Sequence, residues 1–390
     1  MNVLFCYDGP ITEGPLGEYY TIGITDEVLS RYYSFGDSLS LLIRVNENND
    51  VSNRSKITVS PLSVIKVPEI KTLSGAIANT IKAKKIIKDA VKEADFIVVR
   101  TPSKIGQLAA LEASRIGKPY LVEVVAHPFN VLWHHSLRGK LIAFYESFQE
   151  RKVIKQAPYA IYVTEEYLQR SYPCSGKSIG CADSIIPWNS INVLEERLQR
   201  IINGKRKKTI IGTIGGVDIK YKGQEYVIKA LARLKQKGYD NYEYHIVGSG
   251  YFQQLKKVAE RYGVVSQVIY LGPLPHNQIL KFLQKIDIYV QPSLTEGLPR
   301  SIVEAMSMAT PCVASNCGGI PELIEKDFLY SNNHNRETQI EKLLIDFTPE
   351  KQIKQAIRNY EWSKKYSSAE LDKRRCDFYK TIITDLKNKL

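Results

Sequence analysis

The sequence predicts an α/β protein made of two Rossmann-like domains. Its 390 residues are about twice the size of a common domain. Short β-branched runs alternate with segments of helical length, which is the pattern of parallel sheets covered by helices on both faces. Residues 172–208 are rich in Pro, Gly and basic side chains, a composition typical of a linker. We therefore predict an N-terminal domain over 1–185, a C-terminal domain over 186–370 and a last helix over 371–390.

The predicted elements follow this alternation along the whole chain. In the first half the strands are Val3–Cys6, Leu39–Val45, Phe96–Arg100, Tyr120–Val125 and Ala160–Thr164, with helices notably at Ser74–Glu93 and Gln107–Ile116. In the second half the strands are Thr209–Ile214, Tyr244–Val247, Val268–Leu271, Ile288–Gln291, Cys312–Ala314 and Phe328–Tyr330. Ligands of open α/β sheets bind at the carboxyl ends of strands, beside helix N-termini. Residues that directly follow strands are therefore the functional candidates.

Composition excludes several protein classes. Hydrophobic residues make up 44% and charged residues 24% of the chain, values typical of globular rather than disordered proteins. The longest apolar runs are about four to six residues, far below the roughly 20 of a membrane-spanning helix. The first residues lack the basic start and apolar stretch of a signal peptide, so we expect a cytoplasmic protein. Six scattered cysteines without zinc-site spacing are expected to be reduced.

The positive charge is concentrated in the second half. Residues 1–185 carry 22 Lys and Arg against 19 Asp and Glu, which is +3, whereas residues 186–390 carry 32 against 22, which is +10. A basic excess favours anionic partners such as nucleotide phosphates, anionic lipid headgroups or nucleic acid, but it does not choose among them.

Several familiar motifs are incomplete. Gly176-Lys177-Ser178 resembles the end of a phosphate-binding P-loop, but Ser171 stands where its first glycine belongs. Gly248-Ser-Gly250 lacks the third glycine of a dinucleotide fingerprint, because position 253 is Gln253. No Asp-x-Asp or His-Glu-x-x-His pattern occurs, so the sequence predicts no dedicated metal site.

The strongest motif runs from Gln291 through Glu304 and continues to Gly318-Gly-x-x-Glu322. A buried strand ends, the chain turns at Gly297, and a helix begins near Pro299. The backbone amides of Leu298, Arg300 and Ser301 would then lack helical partners, and at a helix N-terminus they suit a diphosphate. Glu296 before the turn and Glu304 in the helix can each accept hydrogen bonds from hydroxyl groups. The alternative is a solvated acidic helix start.

In its context this motif resembles the C-terminal signature of the retaining GT-B glycosyltransferases called group 1, or glycosyltransferase family 4. The family pattern is Glu, seven residues, Glu, with Pro-Ser before it and Gly-Gly-x-x-Glu after it, and all of these are present here. Lys222-Gly223, Gly248-x-Gly250 and Leu271-Gly-Pro273 extend the likeness over residues 208–330, while the first half matches loosely. The resemblance implies a GT-B fold, with two Rossmann-like domains facing each other across a cleft. It also implies that the last helix crosses back to the first domain.

The resemblance assigns roles to residues of the second domain. Glu296 would contact hydroxyls of the donor sugar, Glu304 the ribose and Lys222 the diphosphate, where a fixed ammonium replaces a metal as charge builds on the leaving group. The implied donor contacts further include Gly297, Leu298, Arg300, Gly248, Gly250, Pro273 and Leu274. The family's arginine upstream of the lysine is missing, so that either Lys220 or the amides of Gly215 and Gly216 compensate, or the phosphate clamp is weaker.

The first domain offers fewer candidates. A glycine-bearing loop over Gly9–Gly17 takes the place of a family loop, and amides near Gly17 either approach the phosphates or form a plain turn. His127 follows a central strand, and its ring either bonds the sugar and orients the acceptor or is a capping or core histidine. The basic helix over Lys82–Lys92, with an apolar stripe at Ile81, Ile86, Ile87 and Val91, either rests on an anionic membrane or is a solvated helix.

These features together lead to a hypothesis of function. The resemblance implies a cytoplasmic, metal-independent and cofactor-free enzyme, peripheral to the inner membrane face, that moves a sugar from a nucleoside diphosphate to a saccharide or lipid-linked saccharide in bacterial surface polysaccharide synthesis. The alternatives are a nucleotide-sugar epimerase or a glycan phosphorylase of the same fold, or a non-catalytic basic module. Binding of nucleic acid is not expected.

Overall fold

The computed structural model describes residues 1–47, 51, 54–70, 76–135, 137–184, 186, 192–204 and 207–388. The chain forms two compact units. The first consists of residues 1–129, 142–181 and 374–390, and the second of residues 130–141 and 182–373. The predicted fold class, α/β with parallel sheets in two Rossmann-like halves, is confirmed.

The first unit contains a sheet of nine strands within its described residues. These are β1 (Asn2–Glu13), β2 (Tyr19–Thr21), β3 (Ser38–Glu47), β4 (Ser55–Lys56), β5 (Leu62–Lys66), β6 (Phe96–Thr101), β7 (Tyr120–Val124), β8 (Tyr159–Tyr162) and β9 (Lys177–Gly180). Seven of them run parallel in the order β5-β3-β1-β6-β7-β8-β9, and β2 and β4 add an antiparallel flap. The order reverses between β1 and β6, as in the Rossmann pattern.

Strand β1 is longer than predicted. The expected loop over Gly9–Gly17 is wrong for residues 9–13, which continue β1 after an irregularity between Tyr7 and Ile11. Ile11 is fully buried and pairs with Val45, so burial extends the strand past the glycine and proline. The turn is confined to residues 14–18, between β1 and β2.

Six α-helices begin in the described residues before residue 182, namely α1 (Asp26–Ser30), α2 (Ala76–Glu93), α3 (Lys104–Arg115), α4 (Pro128–His135), α5 (Leu137–Gln156) and α6 (Tyr167–Ser171). Residues 130–141, which include most of α4 and the start of α5, belong to the second unit. The predicted start of α2 at Ser74 lies outside the described residues. Ile87 and Val91 of α2 are buried, so that part of its apolar stripe packs inside the unit, although Ile81 is 66% exposed.

The second unit is built on a six-stranded parallel sheet within its described residues. Its strands are β10 (Thr209–Ile214), β11 (Tyr242–Val247), β12 (Val268–Gly272), β13 (Ile288–Gln291), β14 (Cys312–Ser315) and β15 (Leu329–Tyr330). Their order, β12-β11-β10-β13-β14-β15, is that of a Rossmann sheet. From β10 the chain adds strands first on one side, as β11 and β12, and then on the other side, as β13, β14 and β15. The switch point between β10 and β13 positions the site described below.

The helices of the second unit are α7 (Asn192–Asn203), α8 (Gln224–Gln236), α9 (Gln253–Arg261), α10 (His276–Lys285), α11 (Arg300–Ser307), α12 (Arg336–Asp346) and α13 (Pro349–Ser363), and a last helix, α14 (Ser368–Lys387), follows. Helix α7 and strand β9 occupy much of residues 172–208, so the prediction of a linker there is wrong for both segments. Leu194 packs on Ala309 and Tyr360, and the buried Arg197 donates to the carbonyl of Ile286 at 2.6 Å. The Pro, Gly and basic residues around this amphipathic helix favoured the prediction of a linker instead.

From residue 374 onward, α14 belongs to the first unit. Tyr379 is 2% exposed and its ring centroid lies 4.5 Å from that of Phe35. Asp385 accepts from Lys177 of β9 at 2.7 Å and from the hydroxyl of Tyr159 at 3.2 Å. The end of the chain therefore completes the core of the first unit.

Among the described residues, no helix combines the length and the apolar character that crossing a bilayer requires.

Candidate active site at the sheet switch point

The second unit places two predicted residues at the carboxyl edge of its sheet, where the strand order reverses. Lys222 lies in the loop that follows β10, and Glu296 in the loop that follows β13. These strands are neighbours, and their outgoing connections lead to opposite sides. A crevice at this point is where open α/β sheets bind ligands.

Lys222 and Glu296 form an ion pair. The ammonium Nζ lies 2.8 Å from Oε1 of Glu296, and the two side chains are 22% and 11% exposed. The same carboxylate oxygen accepts from Ser293 Oγ at 2.6 Å and from Gln291 Nε2 at 3.0 Å. Three donors therefore hold Oε1 in place. Within the described residues, no hydrogen bond ends on Oε2 of Glu296.

A polar chain of side chains leads away from Glu296 into the sheet. Gln291 Oε1 accepts from the hydroxyls of Tyr289 and Ser301, the latter at 3.0 Å. Gln291 and Ser293 are buried, so these bonds replace water that the polar groups would otherwise need. The motif contains Gln291 and Ser293, but no local pattern in it predicts that both side chains donate to Glu296.

The ion pair fixes the charge of Lys222. Burial on its own lowers the pKa of the ammonium, but the charge and hydrogen bond of Glu296 outweigh that effect and raise the pKa above its ordinary value. Lys222 is therefore a cation throughout the neutral pH range.

Two glycines allow the backbone to approach this pair closely. At Gly223 (φ +72°) a Cβ atom would lie 2.0 Å from the carbonyl oxygen of Pro292, and at Gly318 (φ +57°) it would lie 2.0 Å from the carbonyl oxygen of Glu296. The amide of Gly319 also donates to the carbonyl of Gly297 at 2.8 Å. Gly223 and Gly318 thus bring the neighbouring loops against the segment that carries Glu296.

The start of helix α11 presents the amides predicted for anion binding. Pro299 is the N-cap residue, and no side chain caps the helix. In the described part of the chain, the amides of Leu298, Arg300 and Ser301 have no hydrogen-bond acceptor, whereas those of Ile302 and Val303 bond to the Pro299 carbonyl. With the helix dipole, these three amides form a site of positive potential next to Gly297.

Glu304 lies on the second turn of α11, with a side chain 15% exposed. Burial raises the pKa of its carboxyl group to about 7, an effect that the charge of Arg300 partly opposes. Oε1 of Glu304 is 3.8 Å from Nδ1 of His276, the first residue of α10. Sequence reasoning assigned no partner to His276, because it precedes Glu304 by 28 positions.

The pKa of Glu304 predicts a dependence of folding stability on pH. Between about pH 4.5 and 7 the folded chain keeps a proton that the unfolded chain has released, so the folded state binds more protons and loses stability as pH rises. From pH 4.5 to 8 this loss is on the order of 3 kcal/mol. Urea unfolding of the wild type and of Glu304→Gln at several pH values should therefore give a free-energy difference that changes across this window. A constant difference would contradict the proposed protonation of Glu304.

The glycine loops after β10 and β11 meet each other. The amide of Gly215 donates to the carbonyl of Val247 at 2.8 Å, so this amide is already engaged and cannot serve unchanged as the substitute for the missing arginine. A Cβ atom at Gly248 would lie 2.1 Å from the Gly215 carbonyl oxygen, and one at Gly250 would lie 2.4 Å from the carboxylate of Asp218. Gly216 and the exposed Lys220 remain candidates for an extra phosphate contact.

The loop after β12 adjoins these glycines. Gly248 donates to the carbonyl of Gly272 at 3.0 Å, and the next residues are Pro273 and Leu274. Pro273 is exposed, while Leu274 lines a cavity of about 290 Å³ with Phe282. The predicted residues of the second unit thus form three local groups. Lys222 pairs with Glu296, and Glu304 lies near His276. The backbone of Gly248 contacts those of Gly215 and Gly272.

His127 and Gly17 belong to the first unit. His127 follows β7, and its Nδ1 lies 3.2 Å from the hydroxyl of Tyr172, which is also 2.9 Å from Ser147 Oγ. Burial, aided by the charge of Arg151, lowers the pKa of His127 to about 4, against a weaker opposing backbone hydrogen bond, so its ring is neutral at pH 7. Gly17 (φ +79°) lies in the turn between β1 and β2, and its amide bonds to the Gly14 carbonyl at 3.1 Å.

No group of three or more His, Cys, Asp or Glu side chains arranged to hold a metal ion occurs in the described ranges of the chain.

Two Rossmann-like units, the second with an ion pair and a helix N-terminus at its switch point, match the architecture of the GT-B glycosyltransferases. The family model for glycosyl transferases group 1 matches residues 195–366. Protein CapJ of Staphylococcus aureus is 34% identical over 340 residues, which cover 85% of this chain and 82% of CapJ. The chain belongs to the group 1 glycosyltransferase family.

Further likenesses agree with this assignment. The amylovoran biosynthesis glycosyltransferase AmsK of Erwinia amylovora is 39% identical over 111 residues, or 27% of each chain. The crystal structure of Anabaena HepE in complex with UDP-glucose superposes with a TM-score of 0.64 at 16% identity, covering 98% of this chain and 100% of HepE. At that identity the superposition shows the shared GT-B fold.

Proposed function

We propose that this chain is a retaining, metal-independent glycosyltransferase that moves a sugar from a nucleoside diphosphate to a hydroxyl of a saccharide or lipid-linked saccharide. The observation that carries the proposal is the Lys222–Glu296 pair, 2.8 Å apart at the switch point. The unbonded amides at the start of α11 support it, because they suit the phosphates of such a donor.

Lys222 and the α11 amides would bind the charge that develops during the reaction. As the bond between the anomeric carbon and the phosphate oxygen breaks, both electrons of that bond stay with the leaving diphosphate. The acceptor hydroxyl forms the new bond to the anomeric carbon on the same face, and its proton passes to the leaving phosphate oxygen. A fixed ammonium and preorganised amides stabilise this transition state without reorganising.

Glu296 would hold the donor sugar in place. Its Oε1 is occupied by Lys222, Gln291 and Ser293, so Oε2 is the oxygen left to accept hydrogen bonds from sugar hydroxyls. The carboxylate also fixes the direction of the Lys222 ammonium. The pair therefore orients the sugar and the phosphate relative to one another.

Glu304 would bind the ribose. An ionised carboxylate accepts from both hydroxyls of a diol, whereas its protonated form has less acceptor capacity. With a pKa of about 7, donor affinity should rise between pH 6 and 8, and Glu304→Gln should remove that rise. The remaining predicted residues apart from Gly215, whose amide is engaged with Val247, are proposed as donor or acceptor contacts, Gly17 and His127 of the first unit included.

Names of relatives support a role in surface polysaccharide synthesis. AmsK is named for amylovoran biosynthesis, and the structural neighbour WaaG is described as involved in lipopolysaccharide biosynthesis. We infer an acceptor of that chemical class, used in the cytoplasm at the inner membrane face. Because HepE was solved with UDP-glucose, uridine diphosphate sugars are the first donors to test.

The test begins with donor binding. Melting curves with UDP, GDP, ADP, CMP and dTDP sugars should show one nucleotide that raises the melting temperature, and that donor is then incubated with saccharide acceptors. We expect glycoside product with the anomeric configuration of the donor, read by NMR, and unchanged turnover in the presence of a chelator. Donor isomerised without acceptor would instead indicate an epimerase, and sugar phosphate formed from a glycan and phosphate would indicate a phosphorylase. An inverted product, or activity restored by manganese after chelation, would contradict the proposed mechanism.

A further inference from the structure

The hydroxyl of Tyr270 on strand β12 is bonded to the loop that follows β11. It donates to the carbonyl oxygens of Gly248 at 2.8 Å and of Gly250 at 3.3 Å. The Tyr270 ring also stacks on Phe252, with the ring centroids 4.7 Å apart and 10° between the two planes. One side chain therefore contacts both ends of residues 248–252, which we call the β11 loop.

The β11 loop depends on contacts with its surroundings because it contains two glycines. Gly248 and Gly250 have φ angles of +152° and +117°, which other residues rarely adopt. A glycine backbone has many alternative conformations, so fixing it in one of them costs conformational entropy. The hydrogen bonds from Tyr270 offset part of this cost and stabilise one conformation of the loop.

All three carbonyls of residues 248–250 are bonded within the second unit. Tyr270 bonds to the first and the third, and the carbonyl of Ser249 accepts from the amide of Val217 at 3.0 Å. By contrast, the amides of residues 249–251 are exposed and have no hydrogen-bond acceptor in the described part of the chain. The loop therefore offers hydrogen-bond donors, rather than acceptors, to a ligand.

The β11 loop lies beside the residues that lead from β10 to Lys222. A Cβ atom at Gly248 would lie 2.1 Å from the carbonyl oxygen of Gly215, so the two backbones are in contact. A Cβ atom at Gly215 would in turn lie 3.5 Å from Cδ of Lys222. A displacement of the β11 loop would therefore reach the backbone next to the Lys222–Glu296 pair.

We propose that Tyr270 is a positioning residue for nucleotide binding, whose hydroxyl holds the β11 loop in its binding conformation. Tyr270 acts through the loop, because its hydroxyl donates to the carbonyls of Gly248 and Gly250. The proposal rests on the proposed function and deepens it, since these two glycines are donor contacts there. A loop held in its binding conformation before the ligand arrives raises affinity and leaves the chemical step unchanged.

Tyr270→Phe tests this role, because it removes one oxygen atom and keeps the ring that stacks on Phe252. Calorimetry with UDP, or with the nucleotide that the melting curves select, should give a Kd raised about tenfold, which corresponds to about 1.4 kcal/mol. The KM for the donor should rise by a similar factor, while kcat at saturating donor stays within about twofold of the wild-type value. A purely structural role would instead lower the melting temperature and leave the Kd unchanged.

Hydrogen exchange of the ligand-free chain measures the effect of Tyr270 on the loop itself. The amide of Val217 bonds to the carbonyl of Ser249, and the amide of Gly248 bonds to the carbonyl of Gly272 at 3.0 Å. In Tyr270→Phe these two amides should exchange about tenfold faster than in the wild type, because the loop opens more often. The amides of strand β13 should keep their wild-type exchange rates.

The matched control is Tyr262→Phe. The side chain of Tyr262 is 43% exposed and its hydroxyl bonds to no other described residue, so this variant should equal the wild type in affinity and in exchange. Equal changes in both variants would overturn the proposal, and so would unchanged affinity and exchange in Tyr270→Phe. A fall in kcat at an unchanged Kd would also overturn it, since Tyr270 would then act on the chemical step.

The two proposals fail in different ways. If no nucleotide bound the wild type, the proposed function would fail together with the role of the loop in donor binding, while the exchange rates would still show whether Tyr270 holds the loop. If the wild type bound and used a donor and Tyr270→Phe did so equally well, only the role of Tyr270 would fail.

Discussion

Replacing Lys222 with alanine should lower kcat by about 10²- to 10³-fold, which corresponds to about 2.7 to 4 kcal/mol of transition-state stabilisation. The ammonium is the cation that contacts Glu296 at the switch point, and its loss also leaves that carboxylate half-buried without its counter-charge. Initial rates at saturating donor, with the wild type measured in parallel, give the effect. Lys222→Arg should recover only part of the rate, because a planar guanidinium does not fit the position of a compact ammonium.

Two variants separate the role of the charge from that of the structure. Glu296→Gln keeps the shape of the side chain and should weaken donor-sugar recognition while Lys222 stays in place. Lys257→Ala removes an exposed lysine of α9 and should leave turnover unchanged. Near-normal rates in both Lys222→Ala and Glu296→Gln would refute the proposed catalytic role of the pair.

Replacing Gly318 with alanine should cost about 3 kcal/mol or more in folding stability and abolish most of the activity. The left-handed backbone itself costs an alanine about 1 to 2 kcal/mol. In addition, the new methyl group would lie 2.0 Å from the carbonyl oxygen of Glu296, so the loop that carries Glu296 must move. Urea unfolding and initial rates measure the two effects.

Gly263→Ala is the matched control. Gly263 has a similar φ of +68°, and a Cβ atom there would meet nothing within 4 Å. We expect a loss limited to the backbone cost and normal turnover. If the two variants lost equal stability and both kept their activity, then the close approach at Gly318 would have no part in positioning Glu296.

Much of the fold could be predicted because the strands are short and buried on both faces. Thr209–Ile214 and Ile288–Gln291 match their predictions to the residue, since β-branched runs bounded by polar residues leave little choice. Helix α7 was missed because its neighbours Pro187 and Gly204 favoured a linker. Its apolar side chains are buried by packing against α13 and Ala309, which lie more than 100 positions later in the sequence. The local sequence does not show this contact.

The residues of the candidate site could be predicted from the sequence, but the contacts between them could not. The spacing of Glu296 and Glu304 and the Lys222-Gly223 pair identified the residues through the family resemblance. That Lys222 bonds to Glu296, and that the amide of Gly215 donates to the carbonyl of Val247, depends on how the three strands β10, β11 and β13 align. Such contacts between distant positions leave no local pattern in a single sequence.

The composition of the first unit bears on how the chain can be synthesised and divided. Its core receives Tyr379, and its edge strand β9 holds Asp385 through Lys177. When the first 181 residues have left the ribosome, the last segment of the first unit has not yet been synthesised. Folding of the complete unit therefore requires almost the entire polypeptide. An expression fragment that stops at residue 181 would lack its closing helix, whereas the same fragment with residues 374–388 joined by a short connector would contain every described segment of the unit.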